Sequence, residues 1–467
     1  MKKKLLLLSF CLQCLCGFAQ TKSSTKIQLQ VDSLVNAELK KQRIPGVSVV
    51  IVKDGKIDYV KGFGFSNLEH KVPVKPETIF QAGSVGKQFT SFATMLLVQD
   101  GKMSLNDKLT KYFPDAPAGW DSITVRNLLN HTSGFSDYTD DFQYWVNYTE
   151  DSLYREFKKR PLLFKSGTKQ RYSNMGYATL GIILGKVAGK FYGDFLKERV
   201  FAPLGMTTAR IISEEDIVPN RAAGYRLVND SIKNQEWVSP TINTTADGSM
   251  YVTALDMAKW EAGLNEGKLL KKEFYDLMWA PTKLNDGTII PYGFGWSIDS
   301  VNEHRILEHN GSWQGFECTL KRYPEKKIAV VVFANLKRAS TYKIATKAMR
   351  LYAPELDMIG LTAIKDVEPG ITKKVDDFIN NARTQKLKAE QFAGELGPQL
   401  TDSTMQVRAS EYFKPKGDYL KSELLSRKTL ENGTREYRYR LLFSKERIGL
   451  RIVFNKDDKI TDMEVTE

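Results

Sequence analysis

Ser84 and Lys87 stand three residues apart in the run Gln81-Ala82-Gly83-Ser84-Val85-Gly86-Lys87-Gln88-Phe89-Thr90, at the head of a helix-like stretch. With a helix beginning near Ser84, this spacing stacks hydroxyl and ammonium on one face, one turn apart. A serine hydroxyl is a poor nucleophile until a neighbour accepts its proton, and a desolvated lysine holds or relays a proton near neutral pH. The positive end of the helix also favours a developing alkoxide. Ser-x-x-Lys recurs by chance in long chains, so the weight falls on partners elsewhere. A phosphate-binding loop is excluded, because position 81, where such a loop needs glycine, is glutamine.

A second element, Gln170-Arg171-Tyr172-Ser173-Asn174-Met175-Gly176-Tyr177, runs from a polar loop into the apolar stretch Ala178 to Leu184. A phenol followed two residues later by an amide offers a general base or proton relay and a donor for a substrate carbonyl. The competing reading is a loop tyrosine packed on the helix that follows. A third element, Leu307-Glu308-His309-Asn310-Gly311-Ser312-Trp313-Gln314-Gly315-Phe316, lies between two strand-like runs. Gly311 and Gly315 let a ligand approach the backbone, and a strand edge offers N–H and C=O groups to an extended peptide. His309 adds polarity beside the nucleophile, or else is a surface histidine in a hairpin.

In this order the three elements resemble the signature of the serine β-lactamase and penicillin-recognising hydrolase superfamily: Ser-x-x-Lys, Tyr-x-Asn and Lys/His-x-Gly. Leu128-Leu129-Asn130-His131-Thr132-Ser133-Gly134-Phe135, Pro203-Leu204-Gly205-Met206 and Ala246-Asp247-Gly248-Ser249-Met250 extend the likeness, which runs from about residue 27 to about residue 352. The relatives it points to are class C β-lactamase-like proteins, DD-peptidases, D-aminopeptidases and esterases. The resemblance implies Ser84 as the acylated nucleophile, Lys87 as its proton partner and Tyr172 as base or relay, serving also the leaving group. It further implies that Asn174 contacts the substrate amide. The resemblance also implies that His309, Gly311 and Ser312 line the substrate and that the N–H groups of Ser84 and Ser312 form an oxyanion hole, a pair worth a few kcal/mol of barrier. Many β-lactamases of the superfamily carry lysine where this chain has His309, a residue mostly neutral at pH 7. A peptidase or esterase is therefore expected over a strong β-lactamase. The alternative is a penicillin-recognising receptor that is acylated without turnover. The resemblance places His131 in a structural turn near the site mouth rather than in a catalytic triad. His70 and His304 have no partners visible in the sequence. With no Cys/His cluster at ligand spacing, neither metal nor cofactor is expected.

Lys2-Lys3-Lys4 before an apolar run from Leu5 to Phe18 reads as a secretory signal, cleaved after Ala19. Cys11, Cys14 and Cys16 fall in that segment, leaving Cys318 alone, so no internal disulfide forms. No later stretch has the eighteen or so consecutive apolar residues of a membrane span. These features predict a periplasmic or secreted protein. The formal charge is +13, of which the signal contributes Lys2, Lys3 and Lys4. That balance fits a solvated surface with a lysine excess and keeps peptidoglycan in view as a partner beside a small-molecule or peptide substrate. No interleaved basic and aromatic pattern points to nucleic acid.

These residues need elements to hold them. Val31, Leu34, Val35 and Leu39 mark an amphipathic helix ending before Pro45, and Val47 to Val52 and Ile57 to Val60 flank Asp54-Gly55 as a hairpin. The Ser84 helix is expected to reach Asp100-Gly101. Residues 104–290 read as helix and loop, after which strand patterns return at Gly293 to Ile298, Phe316 to Arg322 and Ile328 to Phe333, followed by a helix to about Tyr352. Early and late strands then form one antiparallel sheet flanked by helices, with the middle as an inserted helical lobe and the catalytic groups at the seam. This is the α+β/α fold of β-lactamases and transpeptidases. The hydrolase domain is expected over residues 27–354. Past a polar linker around 355–372, residues 373–467 read as a small α+β accessory domain, faintly resembling NTF2-like domains, with helices near Val375 to Asn381 and Ala389 to Leu396 and strands at Tyr437 to Phe443, Ile448 to Phe454 and Ile460 to Val465.

Overall fold

The computed structural model describes residues 25–137, 143–213, 215–394, 396–430 and 432–466. Residues 1–19, expected as a signal segment, lie outside the described residues together with Cys11, Cys14 and Cys16. The chain divides into two compact units, Met1–Tyr352 and Ala353–Glu467.

The first unit opens with helix α1 (25–42), which buries Val31 and Val35. Strands β1 (Gly46–Lys53) and β2 (Lys56–Asn67) follow. Asp54 and Gly55 between them both have positive φ, 51° and 73°, the pairing that a two-residue hairpin of matching twist requires. The short strand β3 (Val72–Pro73) pairs with β2. After the lobe come β4 (Ser297–Val301), β5 (His304–Trp313), β6 (Phe316–Tyr323) and β7 (Ile328–Ala334). Together they form one antiparallel sheet in the order β4-β5-β6-β7-β1-β2-β3, with Val49 opposite Val332 on one side and Lys61 on the other. β1 is buried from Gly46 to Val52, which explains a sequence that is apolar apart from Ser48. The third sequence element was expected between two strands. Instead it forms most of β5, whose Asn310, Gly311 and Ser312 carry little strand propensity and are held by pairing with β6.

Helices α2 (Lys87–Gln99) and α3 (Asn174–Ala188) pack together at the centre of the lobe. Phe89 and Phe92 of α2 meet Trp260 with ring centroids 4.2 and 5.0 Å apart. Trp260 lies on α4 (Ala254–Glu266), which also contacts β1, β2 and β7. Between α4 and β6 the buried Arg322 Nε and Glu261 Oε2 pair at 2.9 Å, joining lobe to sheet. Helix α5 (Thr341–Tyr352) lies against β6 and β7.

The second unit packs helices α6 (Pro369–Arg383), α7 (Leu396–Thr401) and α8 (Ser403–Phe413) with a four-stranded antiparallel sheet, β8 (Tyr419–Thr429), β9 (Arg435–Phe443), β10 (Arg447–Phe454) and β11 (Ile460–Thr466). α8 and β8 have no counterpart in the sequence reading: both are polar, and β8 alternates too loosely to declare a buried face. The stretch expected as a linker is held inside this unit, where Ile364 N–H donates to Leu424 O at 2.8 Å and Arg440 Nη1 donates to the carbonyls of Ile359 and Leu361.

Candidate active site

Ser84 sits in a 3-10 turn, Gly83–Gly86, and the α-helix begins only at Lys87. The expected helix start at Ser84 is thus three residues early. The 3-10 turn nevertheless suits the pair, since three residues per turn eclipse positions i and i+3. Lys87 Nζ lies 3.1 Å from Ser84 Oγ.

Lys87 is fully buried and its amine has two further acceptors: Asn174 Oδ1 at 2.7 Å and the carbonyl of Asp247, in shorter contact still. An ammonium fills all three with its three protons. A neutral amine has only two, and because the amide and carbonyl oxygens accept and never donate, the lone pair is turned onto the Ser84 hydroxyl. Burial lowers the Lys87 pKa to about 8, against the opposing pull of the Asp247 and Asp137 carboxylates. The neutral form is therefore accessible near pH 7, and it is already aimed.

What keeps Asn174 facing this way is Asp137. Its Oδ2 accepts from Asn174 Nδ2 at 3.0 Å and its Oδ1 from the Asn174 N–H at 3.1 Å, so the amide oxygen must face Lys87. One N–H and one lone pair of the amide remain for a substrate. Asp137 stood outside the sequence reading, which had no signal linking positions 37 residues apart. Asp247 was noted only as part of a flanking phrase. It reaches Lys87 because Phe80–Gln81 pairs with Tyr251–Val252 and the Ala82 N–H donates to Met250 O at 2.9 Å.

Tyr172 precedes α3, whose N-cap is Ser173, with its hydroxyl accepting from the Gly176 N–H. Tyr172 is 37% exposed as a residue, and its hydroxyl is hydrogen-bonded with Ser84. Desolvation pushes the phenol well above its ordinary pKa, with the Ser84 hydrogen bond pulling the other way. The resting phenol therefore keeps its proton. Lys87 Nζ lies 4.9 Å from the Tyr172 ring centroid and 5.4 Å from that of Tyr177, close enough for both ring faces to attract the ammonium.

β4 pairs with β5 only up to Glu308, so His309 to Trp313 extend past it and leave an open edge. That edge runs against the Gly83–Gly86 turn. At Gly83, whose φ is +54°, an added Cβ would lie 2.5 Å from Ser312 N; at Gly311 one would lie 1.9 Å from Ala82 O and 3.0 Å from Ser84 N. Both positions need glycine because the two backbones touch, and this contact brings the Ser84 and Ser312 N–H groups together. Gly311→Ala should accordingly force the strand off the turn. We expect labelling of Ser84 by a serine-directed probe to slow by about a hundred-fold, read by intact-mass spectrometry over time; a wild-type rate would show that this approach does not set reactivity. The Ser312 hydroxyl donates to Glu317 Oε1 at 2.8 Å and accepts from Lys337 Nζ at 2.8 Å.

His309 is 5% exposed, not the surface residue of the alternative reading. Its Nδ1 lies 2.6 Å from Asn310 O and its Nε2 3.0 Å from the Tyr292 hydroxyl. Burial, with the Lys87 charge beside it, lowers its pKa to about 4. His131 has φ +61° in the expected turn, but it lies inside the cluster rather than at the mouth. Its ring packs on Tyr172 at 4.2 Å, its Nδ1 accepts from the Ser173 N–H at 3.1 Å, and its Nε2 is 3.2 Å from the Tyr292 hydroxyl. Tyr292 was not singled out in the sequence; its only signal was the glycine-flanked phrase before β4. His304 does have a partner, Glu325 Oε2 at 2.9 Å from Nδ1. Among the described residues, no group of three or more His, Cys, Asp or Glu is placed to hold a metal ion, and no helix is long and apolar enough to cross a membrane.

A family model described as Beta-lactamase matches residues 31–353. The chain is 27% identical over 318 residues to penicillin-binding protein 4* of Bacillus subtilis (strain 168), covering 64% of this chain and 70% of that one. It is 28% identical over 322 residues to protein flp of Staphylococcus aureus (strain MW2), where the match spans 66% of this chain and 63% of the relative's length. Among solved structures, an octameric penicillin-binding protein homologue from Pyrococcus abyssi aligns with 94% of this chain and 97% of its own at a TM-score of 0.62 and 23% identity. The D-amino acid amidase of Ochrobactrum anthropi SV3 aligns with 70% of this chain and 98% of its own at a TM-score of 0.60 and 22% identity. At these identities the structural likeness is one of fold.

Proposed function

The chain belongs to the β-lactamase family, and from that premise we propose a serine hydrolase that works through an acyl-enzyme on Ser84, acting on D-amino acid amides or peptides and short esters in preference to β-lactams. The observation that carries this reading is the buried Lys87 amine, whose two fixed acceptors leave its lone pair for the Ser84 hydroxyl.

In the proposed cycle neutral Lys87 takes the Ser84 proton as Oγ attacks the substrate carbonyl carbon. The carbonyl oxygen becomes an oxyanion facing the N–H groups of Ser84 and Ser312. Tyr172, still protonated, gives its proton to the departing amine or alkoxide and is resupplied by the Lys87 ammonium. Its raised pKa suits this relay better than the role of a resting base. Water then attacks the ester by the same steps in reverse, giving up its proton and releasing Ser84. Asn174 offers its remaining N–H to the substrate amide.

Substrate preference follows from His309. Neutral and hydrogen-bonded at both ring nitrogens, it presents no fixed charge to a lactam carboxylate. A panel of D-amino acid amides, D-Ala-D-Ala peptides, short acyl esters and nitrocefin, each against a Ser84→Ala control, tests the reading. Amide or ester turnover should exceed that of nitrocefin by about ten-fold or more. Nitrocefin turnover above every other substrate would reverse the substrate claim, and a single equivalent of product followed by arrest would make the protein a penicillin-recognising receptor. The basic and apolar segment 1–19 supports action in a periplasm-like compartment or outside the cell, with peptidoglycan peptides as one source of such substrates.

A further inference from the structure

Four hydrogen bonds link the second and third motifs through His131 and Tyr292, which neither motif contains, and His309, which opens the third. A backbone N–H can only donate, so His131 Nδ1, 3.1 Å from Ser173 N, carries no proton. A backbone carbonyl can only accept, so His309 Nδ1, 2.6 Å from Asn310 O, does carry one. Both rings are neutral, held so by burial and by the Lys87 charge that acts on each. Each then has one proton to place. His131 carries it on Nε2 and donates to the Tyr292 oxygen at 3.2 Å; His309 has a bare Nε2 that accepts the Tyr292 proton at 3.0 Å. The chain of donors therefore has a single direction, from Ser173 through His131, Tyr292 and His309 to Asn310.

From this geometry we propose that Tyr292 is a positioning residue for acyl transfer: its hydroxyl fixes the tautomer of His309, and through the His309–Asn310 bond it holds the Asn310–Ser312 backbone that brings one oxyanion donor to Ser84. The proposal rests on the acyl-enzyme reading above. Among the described residues the Tyr292 hydroxyl bonds to the two histidines and makes no hydrogen bond to Ser84 or Ser312, so its effect passes through His309. With the opposite tautomer, the bare Nδ1 of His309 would face the Asn310 carbonyl, lone pair against lone pair, and the strand would lose its tether at the point where it leaves β4. The same hydroxyl also ties β5 to the Tyr172–Asn174 loop, so both walls of the site share one fixed point. The charged and titratable groups around it are Lys87, Tyr172 and Tyr177.

The chain has four histidines, so the ring nitrogens of ¹⁵N-histidine-labelled protein are resolvable by NMR. In the wild type we expect one buried Nε2–H tautomer, His131, and one buried Nδ1–H tautomer, His309. In Tyr292→Phe the His309 signals should move to a mixture of tautomers, with kcat on the best ester down about ten- to a hundred-fold and KM within about two-fold. Tyr192→Phe, which trims a phenol of similar burial elsewhere in the lobe, should change neither. A wild-type His309 protonated on Nε2 overturns the proposal whether or not the variant folds. So does a Tyr292→Phe protein with both tautomers intact and kcat within about two-fold of wild type. Failure of the acyl-enzyme reading is distinct: Ser84 would take no label while the tautomers stayed as described.

Discussion

In the Ser84→Ala protein, covalent labelling by a serine-directed probe should disappear and turnover of the best ester should fall by about six powers of ten. The Tyr172 phenol beside the amine, its ring centroid 4.9 Å from Lys87 Nζ, does not take over, because desolvation holds its proton. Structure should survive the change. Only one methylene-sized polar atom is lost from a turn, and Lys87 retains Asn174 Oδ1 and the Asp247 carbonyl. Intact-mass spectrometry with matched circular dichroism decides the matter, and an adduct at full yield on the folded mutant would move the chemistry away from this turn.

Lys87→Met should cost about three or more powers of ten in kcat while leaving the fold as stable as before or more so below pH 8. A lysine whose folded pKa is lowered from 10.5 to about 8 binds fewer protons folded than unfolded between those values. Unfolding stability therefore rises with pH across that window, by on the order of 3 kcal/mol for a group this buried, and below about pH 8 the full cost of the buried charge is present. Methionine has no such cost, so the wild type should gain on the mutant as pH climbs from about 8 to 10.5. The same titration sets the rate: kcat/KM should fall about ten-fold per unit below pH 8 and level off above it. Denaturant melts of both proteins at pH 7 and 10, beside a pH–rate profile of the wild type, check the two halves. A profile flat from pH 6 to 9 would remove Lys87 as the base, and parallel stability curves would show that its amine is not the group titrating.

The sequence exposed the reacting groups because each motif is local: Ser84 and Lys87 share one turn, and Tyr172, Ser173 and Asn174 share one loop. Positive-φ turns and apolar runs likewise marked β1, β2, β6 and β7. Hidden were the groups that orient these, since Asp137 meets Asn174, and Tyr292 meets His131 and His309, only after the chain has folded across long separations. β5 escaped for a different reason. Its pairing partners, not its own residues, make it a strand, and its glycine is there so that two backbones can touch. The polar α8 and β8 of the second unit were obscured because tertiary packing, not local periodicity, defines their buried faces.

The order of strands has a consequence for how the protein comes to exist at all. β1 and β2 can zip locally as soon as they are made, yet the other side of β1 is satisfied only by β7, Ile328–Ala334. Until then a valine-rich strand stands with an unpaired edge, the kind of surface that recruits other chains. Closure over so long a loop is slow compared with helix or hairpin formation. The reactive serine is thus withheld during synthesis: Lys87, Asp247 and Ser312 cannot meet until nearly the whole first unit has emerged, and the unfinished chain is prone to aggregation but chemically inert.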